Sequence, residues 1–396
     1  MDTRIAGGVL LIVGTSIGGG MLALPIATAG SGFISSSVLL FACWVIMTFS
    51  AFLILEVNLW LPPRTNMISM ARETLGKYGE LTAWLSYILL MYALLCAYIS
   101  GGSSVFSDAL SVVGLRSPAW VNSILFVLIL GYIVYRGIRP VDYANRALMI
   151  LKFGALIALI LAALPYLDPV KLTGGDPRLL GSTVTVMLTS FGFATIIPSL
   201  RSYFNDDVKK LRLTILIGSV IPLVCYILWD FAILGTLPRS GENGLVEIMH
   251  RGGSVTELTR SLSFYLQNGS ITALSHFFTA ICVLTSFLGV SLGLSDFLAD
   301  GIKTKKAAAG NWKVALAAFL PPLIIVLFYP NIFVKALSYA GTFCVILVVL
   351  LPALMTLSGR YYKGLSKGGY QVFGGKLAVV LAAMVAVIII GLGLLH

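Results

Sequence analysis

The chain has 396 residues, of which 58% are hydrophobic and only 11% charged, and its mean hydropathy is +0.97. A soluble domain carries about 25% charged residues, so the composition excludes a water-soluble globule and points to an all-α polytopic membrane protein. The formal net charge of +11 is a candidate nucleic-acid signal, but it is better explained by the excess of Lys and Arg that membrane proteins keep on the cytoplasmic side.

A membrane span needs roughly 20 mostly apolar residues. Eleven such runs follow in order, at about 5–31, 33–61, 81–107, 119–135, 141–166, 180–200, 213–237, 270–298, 314–330, 332–357 and 376–395. They use most of the chain, so residues 1–396 are expected to form one transmembrane domain. Only four residues precede the first run, which is therefore expected to be a span and not a cleaved signal. With the N-terminus in the cytoplasm and the sides alternating, Arg116, Lys171, Arg178, Arg239, Arg251, Arg260 and Lys335 fall outside. The remaining 20 of the 27 Lys and Arg fall inside, among them Arg64, Lys303, Lys305, Lys306 and Lys367. The C-terminus is then expected outside.

The first run contains GTSIGGGMLALP, Gly14 to Pro25. Three glycines followed by a proline predict a helix that breaks in mid-span. The loop at 62–80 opens with Pro62–Pro63 and is expected to carry a short surface helix. The sixth run contains TSFGFATIIP, with the same Ser-x-Gly and a following proline (Ser190, Gly192, Pro198) as in the first (Ser16, Gly18, Pro25). Five spans separate the two, so the sixth run enters from the opposite side, the signature of an inverted-repeat transporter and of its binding site. The outer loop 238–269 carries Ser254-Val255-Thr256-Glu257, a capping box. Val255, Leu258, Leu262 and Leu266 follow at helical spacing, predicting an amphipathic helix over the outer face.

In lipid every backbone N–H and C=O needs a partner, so a broken helix is tolerable only inside protein or beside a watery cavity. There its freed groups can bind: half-helix N-termini suit a carboxylate, and C-terminal carbonyls suit an ammonium or a cation. Neither run contains Asp, Glu, Lys or Arg, which fits recognition of a zwitterionic amino acid through main-chain groups.

The ionisable residues expected within spans are Glu56, Lys152, Asp230, His276 and Lys335, and each is a functional hypothesis. Lys152 lies six residues beyond Arg146, about 9 Å deeper, where a desolvated amine can exchange a proton. Glu56 is expected as an inner interface anchor, Asp230 as a partly hydrated outer residue, His276 as a wet rim histidine and Lys335 as an outward snorkel. The five cysteines (Cys43, Cys96, Cys225, Cys282 and Cys344) lack metal-ligand spacing and fall within spans. They are expected to pack, and no cofactor or metal is expected. The three histidines stand near no nucleophile pair, and there is no Walker or HExxH motif, so an enzyme is not expected.

GTSIGGGMLALP, ALLCAYISGG (Ala93–Gly102), TSFGFATIIPS (Thr189–Ser199) and SFLGVSLGLSDFLAD (Ser286–Asp300) together resemble the hydroxy and aromatic amino acid permeases. The likeness is nearest to the bacterial tyrosine- and tryptophan-specific members. It implies the LeuT-like fold of the amino acid–polyamine–cation superfamily: a 5+5 inverted repeat with discontinuous spans 1 and 6. Spans 1–5 (about 5–166) and 6–10 (about 180–357) would be the repeats, with an eleventh span at about 376–395. It also implies proton symport of an aromatic amino acid across the bacterial inner membrane, with no obligatory protein partner. Carried over by position, Thr15, Ser16, Gly18, Gly19 and Gly20 would hold the substrate's carboxylate and amine. Ser190, Phe191, Gly192 and Phe193 would complete the cradle, with Phe191 or Phe193 as a gate. Tyr92 and Cys96, Ser286 and Phe287, and Tyr339, Thr342 and Phe343 would face it from spans 3, 8 and 10. Lys152 would carry the coupling proton. Thr285 and Ser286 would form a sodium site in the alternative coupling, and a serine or threonine carrier is the alternative substrate reading. An amino-acid sensor or a channel without coupled flux is the alternative from another class.

Overall fold

A computed structural model describes residues 3–63, 65–112, 114–301, 310–366 and 369–395. Arg64, Lys303, Lys305, Lys306 and Lys367, part of the charge tally, lie outside the described residues. The elements are helical throughout: α1 (Thr3–Ser16), α2 (Gly19–Thr28), α3 (Phe33–Trp60), α4 (Met67–Leu75), α5 (Lys77–Val112), α6 (Ala119–Tyr135), α7 (Ile138–Ala163), α8 (Pro169–Leu172) and α9 (Val184–Ser190). There follow α10 (Ile197–Tyr203), α11 (Val208–Thr236), α12 (Leu245–His250), α13 (Val255–Leu266), α14 (Gly269–Gly301), α15 (Trp312–Phe328), α16 (Phe333–Val345), α17 (Leu351–Leu357) and α18 (Gly375–Leu395).

Among the described residues, eight helical stretches are long and apolar enough to cross a membrane: Phe33–Trp60, Lys77–Ser111, Ala147–Tyr166, Val184–Tyr203, Val208–Thr236, Gly269–Ala299, Phe333–Tyr362 and Gly375–Gly393. The pair α1 and α2 makes a ninth if it counts as one broken span, bent by 51°. The remaining two runs, the fourth and ninth, fold as α6 and α15, shorter apolar helices of 17 residues each. At about 1.5 Å per residue they reach about 26 Å, a little short of the ~30 Å hydrocarbon layer. The chain is thus a multi-pass membrane protein built of helices.

Both anticipated breaks occur, and both begin immediately after the serine of the shared motif. α1 stops at Ser16 and α2 restarts at Gly19; α9 stops at Ser190, and a five-residue 3-10 turn at Gly192–Ile196 leads into α10. Pro25 sits inside α2 and Pro198 in the first turn of α10, where its missing N–H costs nothing. The second interruption has no bend comparable to the first.

Two expected surface helices are present. Asn66 caps α4 by accepting from Ser69 N at 2.9 Å, and Gly76, at φ +76°, ends it. α13 buries Val255, Leu258, Leu262 and Leu266, as its spacing requires. Its capping box is only half used. The Ser254 hydroxyl turns to Thr256 Oγ1 (3.1 Å) and Ser104 Oγ (3.4 Å) instead of closing the helix end, while the Glu257 carboxyl accepts from the Ser254 backbone. Burial pushes the Glu257 carboxyl above its usual range, against the pull of Arg251 and Arg260.

Glu56 is not a simple interface anchor. It is fully buried and holds Arg360, just beyond the tenth run, through both carboxylate oxygens (Nε to Oε1 2.6 Å). The Val372 backbone N–H donates to Oε2 at 2.7 Å, and Arg360 also donates to Val372 O at 3.1 Å. Arg201, at the end of α10, likewise donates to Leu61 O (2.9 Å) and Asn58 O, the loose carbonyls at the end of α3. Asp230 departs from expectation more sharply. It is wholly buried and not partly hydrated. Lys335 is exposed as expected, and His276 is half-exposed, 3.6 Å from Asp108.

Breaking one partner of a buried ion pair leaves the other charge stranded, which costs about 3–5 kcal/mol. Arg360→Ala is expected to lower the unfolding midpoint in detergent accordingly. The double variant Glu56→Leu with Arg360→Met should lose clearly less, as read by the same thermal melt.

Candidate functional site

A helix end leaves carbonyls without partners and a partial negative charge. The C-terminal ends of α1 and α9 lie near one another: a Cβ on Gly20 would stand 2.9 Å from Ser190 Oγ and 3.3 Å from Ser190 Cα. Three side chains from neighbouring helices serve the exposed backbone there. Tyr226 of α11 places its hydroxyl 2.7 Å from Ser16 O and 2.7 Å from Ser190 O, so one phenolic proton is shared between the two breaks. Lys152 of α7, 1% exposed, donates from its ammonium to Ile17 O. Ser286 of α14 accepts from Gly19 N at 2.8 Å.

The glycines are required by this crowding. A Cβ on Gly18 would meet Ser286 Oγ at 2.3 Å, and one on Gly19 would meet the Tyr98 ring at 2.5 Å. Phe191 lies edge-on to Tyr226, with centroids 5.1 Å apart, and Phe193 is fully buried. The hydroxyls of Ser16 and Ser190 return to their own helices, to Ile12 O and Val186 O, both at 3.0 Å. It is therefore the main chain of these residues, and not their side chains, that faces the break.

The other sequence candidates scatter. Thr15 is exposed, with its hydroxyl on Leu11 O. Thr285 donates to Ile281 O at 2.9 Å on its own helix. Phe287 packs between Phe126 (4.9 Å, edge-on) and Phe319 (5.8 Å, stacked). Tyr92 donates to Ala317 O at 2.7 Å, and Cys96 reaches Pro322 O at 3.8 Å, so both face α15 and not the breaks. On α16, Tyr339 is 51% exposed, Thr342 packs toward Gly393 of α18, and Phe343 is half-buried. Gly192 has only Cys344 Sγ, at 3.9 Å, near where its Cβ would be.

Sequence reasoning missed Tyr226 and Tyr98. Tyr98 hydrogen-bonds Ser286 and covers Gly19. It lies six residues beyond Tyr92, roughly 240° around the helix, and α5 has no polar face to reveal which side turns inward. Tyr226 stands in a continuous apolar run with no periodic signal at all.

A family model for the tryptophan/tyrosine permease family matches residues 1–393. The chain belongs to the tryptophan/tyrosine permease family. It is similar to a tyrosine-specific transport system of Haemophilus influenzae, 34% identical over 98% of this chain and 95% of the relative. It is equally similar to a tryptophan-specific transport protein of the same organism, 34% identical over 95% of this chain and 92% of the relative. A tryptophan-specific transport protein of Pseudomonas aeruginosa is 33% identical over 97% of this chain and 92% of its own length.

Tyr226→Phe removes the one donor shared by two buried carbonyls, at a cost of about 1–3 kcal/mol; a lowered melting temperature with unchanged helix content checks it. The glycines should rank by space. Gly341→Ala, whose Cβ would stand 2.1 Å from Thr185 O, should destabilise most. Gly20→Ala should follow, and Gly192→Ala should be near neutral, all compared by melting temperature in one detergent.

Proposed function

We propose that this permease imports an aromatic amino acid, tyrosine first and tryptophan next, across the inner membrane by proton symport. The observation that carries the reading is the buried Lys152 ammonium on the Ile17 carbonyl, at the break of the first span. A cation there offsets the negative ends of α1 and α9. Loss of its proton weakens the charge-assisted bond to Ile17 O and alters the charge met by the substrate. The substrate's carboxylate is assigned to the α2 N-terminus at Gly18, Gly19 and Gly20. Its ammonium is assigned to the carbonyls of Ser16 and Ser190, which Tyr226 also reaches. Phe191 and Phe193 line the way for the ring. The relatives named for tyrosine and tryptophan transport support this substrate class.

The same reading takes the eight long helices, the bent pair and the two shorter apolar helices as eleven crossings, arranged as a LeuT-like 5+5 repeat plus one. The N-terminus is then cytoplasmic and the C-terminus periplasmic. Two motif-matched breaks, each after a serine and each followed by proline, support it. Sodium coupling at Thr285 and Ser286 is less favoured, because Thr285 is engaged by its own helix and Ser286 by Gly19. A sodium ion beside charged Lys152 would also be repelled in a low-dielectric site.

In proteoliposomes, radiolabelled tyrosine should accumulate under an imposed proton gradient alone, and Lys152→Ala should abolish accumulation. Accumulation that needs sodium would move the ion to Thr285 and Ser286. Accumulation of serine in place of tyrosine would overturn the aromatic assignment.

A further inference from the structure

Asp230 is an acid in a place where nothing balances a charge. It lies on α11, one helical turn beyond Tyr226 and six residues before the helix end at Thr236, so about 9 Å from that end. It is 0% exposed, and its surroundings are aromatic: Trp229 packs on Phe278, and Phe231 on Phe33. Among the described residues its only hydrogen-bond partner is Thr28, at the end of α2, the outer half of the broken span; Oδ2 stands 3.4 Å from Thr28 Oγ1 and Oδ1 has no partner.

The charged and titratable groups of the surrounding elements are committed elsewhere. On α8, Lys171 reaches Thr236 O at 2.6 Å, and Asp168 caps Val170 N. On α12, Glu247 pairs with Arg251 at 3.1 Å, and His250 is exposed. On α14, His276 faces Asp108. Arg239 lies against Gly32 and Gly174. α2 carries no ionisable residue; in α3 the carboxylate of Glu56 lies near the helix end on Arg360, and Cys43 is a buried thiol. Lys152 of α7 is on Ile17 O.

The Thr28 hydroxyl has a single proton, and it lies on Leu24 O at 2.8 Å. A hydroxyl that has given its proton away can only accept. The longer contact to Asp230 is therefore made properly when the acid is the donor, which requires it to be neutral. An ionised Asp230 would instead have to pull that proton off Leu24 O, and would still leave one carboxylate oxygen buried without a partner.

We propose that Asp230 is a proton-operated latch on the outer half of the broken helix, neutral when α2 is closed against α11 and ionised when α2 swings open to the outer water. The inference rests on the transport reading above but assigns a residue that reading does not use. Closing takes one proton from the outer solution onto the carboxylate, and opening returns it to the same solution. No net proton crosses the membrane through Asp230, so the latch is distinct from coupling at Lys152. Acid outside favours closure; as external pH rises, closure must proceed against deprotonation and slows.

The test is tyrosine exchange in proteoliposomes with equal tyrosine on both sides, with internal pH fixed and external pH stepped from acid to alkaline. Wild-type exchange should fall several-fold as external pH rises. Asp230→Asn, which keeps the shape and is permanently neutral, should exchange at a rate that follows external pH several-fold less steeply, retaining only the dependence due to coupling at Lys152. A variant that keeps the wild-type external pH dependence overturns the latch, as does a wild type with no such dependence. If Asp230→Asn does not exchange, the melting temperatures of both proteins across pH decide. The wild type should lose stability relative to the variant as pH rises, because its buried acid must then ionise. A constant offset overturns the proposal. That melt needs no transport, so failure of tyrosine exchange in the wild type would sink the proposed function and leave the latch separately testable.

Discussion

A peptide group removed from water must find a partner, and this requirement governs the middle of the molecule. Two helices are interrupted where no solvent can repair them. The repair comes from three side chains on three other helices: Tyr226 on Ser16 O and Ser190 O, Lys152 on Ile17 O, and Ser286 on Gly19 N. Each patch ties the first span to another part of the chain. The breaks are therefore the point through which α7, α9, α11 and α14 are positioned relative to one another. Patches made by side chains are also exchangeable in a way that a continuous helix is not, since a ligand with a carboxylate and an ammonium offers the same hydrogen bonds.

The helix ends around Glu56 and Arg201 are fastened differently. Glu56 with Arg360, and Arg201 on the last carbonyls of α3, are ionic or charge-assisted and largely buried. Such contacts are strong only while water is kept out, because the same groups hydrate readily when the helices part. The amphipathic helix α13 is instead joined at its rim by Arg260 to Asp108 at 2.9 Å. Arg260 is largely exposed, so this pair is screened and weak.

Much of this was legible beforehand. The shared Ser-x-Gly and proline located both breaks to a stretch of a few residues, because glycine and proline act on the local backbone whatever surrounds them. The amphipathic spacing of Val255, Leu258, Leu262 and Leu266 located α13 for a similar reason. The fourth and ninth runs were legible as apolar helices, although each is shorter than a standard span. Lys152 stood out because a cation so deep in an apolar run needs a specific partner, and it has one.

What could not be read was which face of each uniformly apolar helix turns inward. Lipid and protein interior are equally apolar, so a span in a membrane has no polar side to orient it. Tyr92 and Tyr98 are chemically alike and sit on one helix, yet one binds the α15 backbone and the other covers Gly19. Tyr339, on the tenth run, is exposed, while Tyr226, in a featureless run, holds both breaks together. Glu56 and Asp230 were visible as acids within spans, but only packing decided that one meets an arginine from more than 300 residues away and the other meets a single threonine. The sequence by itself determined the membrane class, the positions of the breaks and the family, because composition and backbone propensity are local. The tertiary structure decided which side chains serve the broken backbone, because in a chain without polar faces only the docking of one helix on another sets direction.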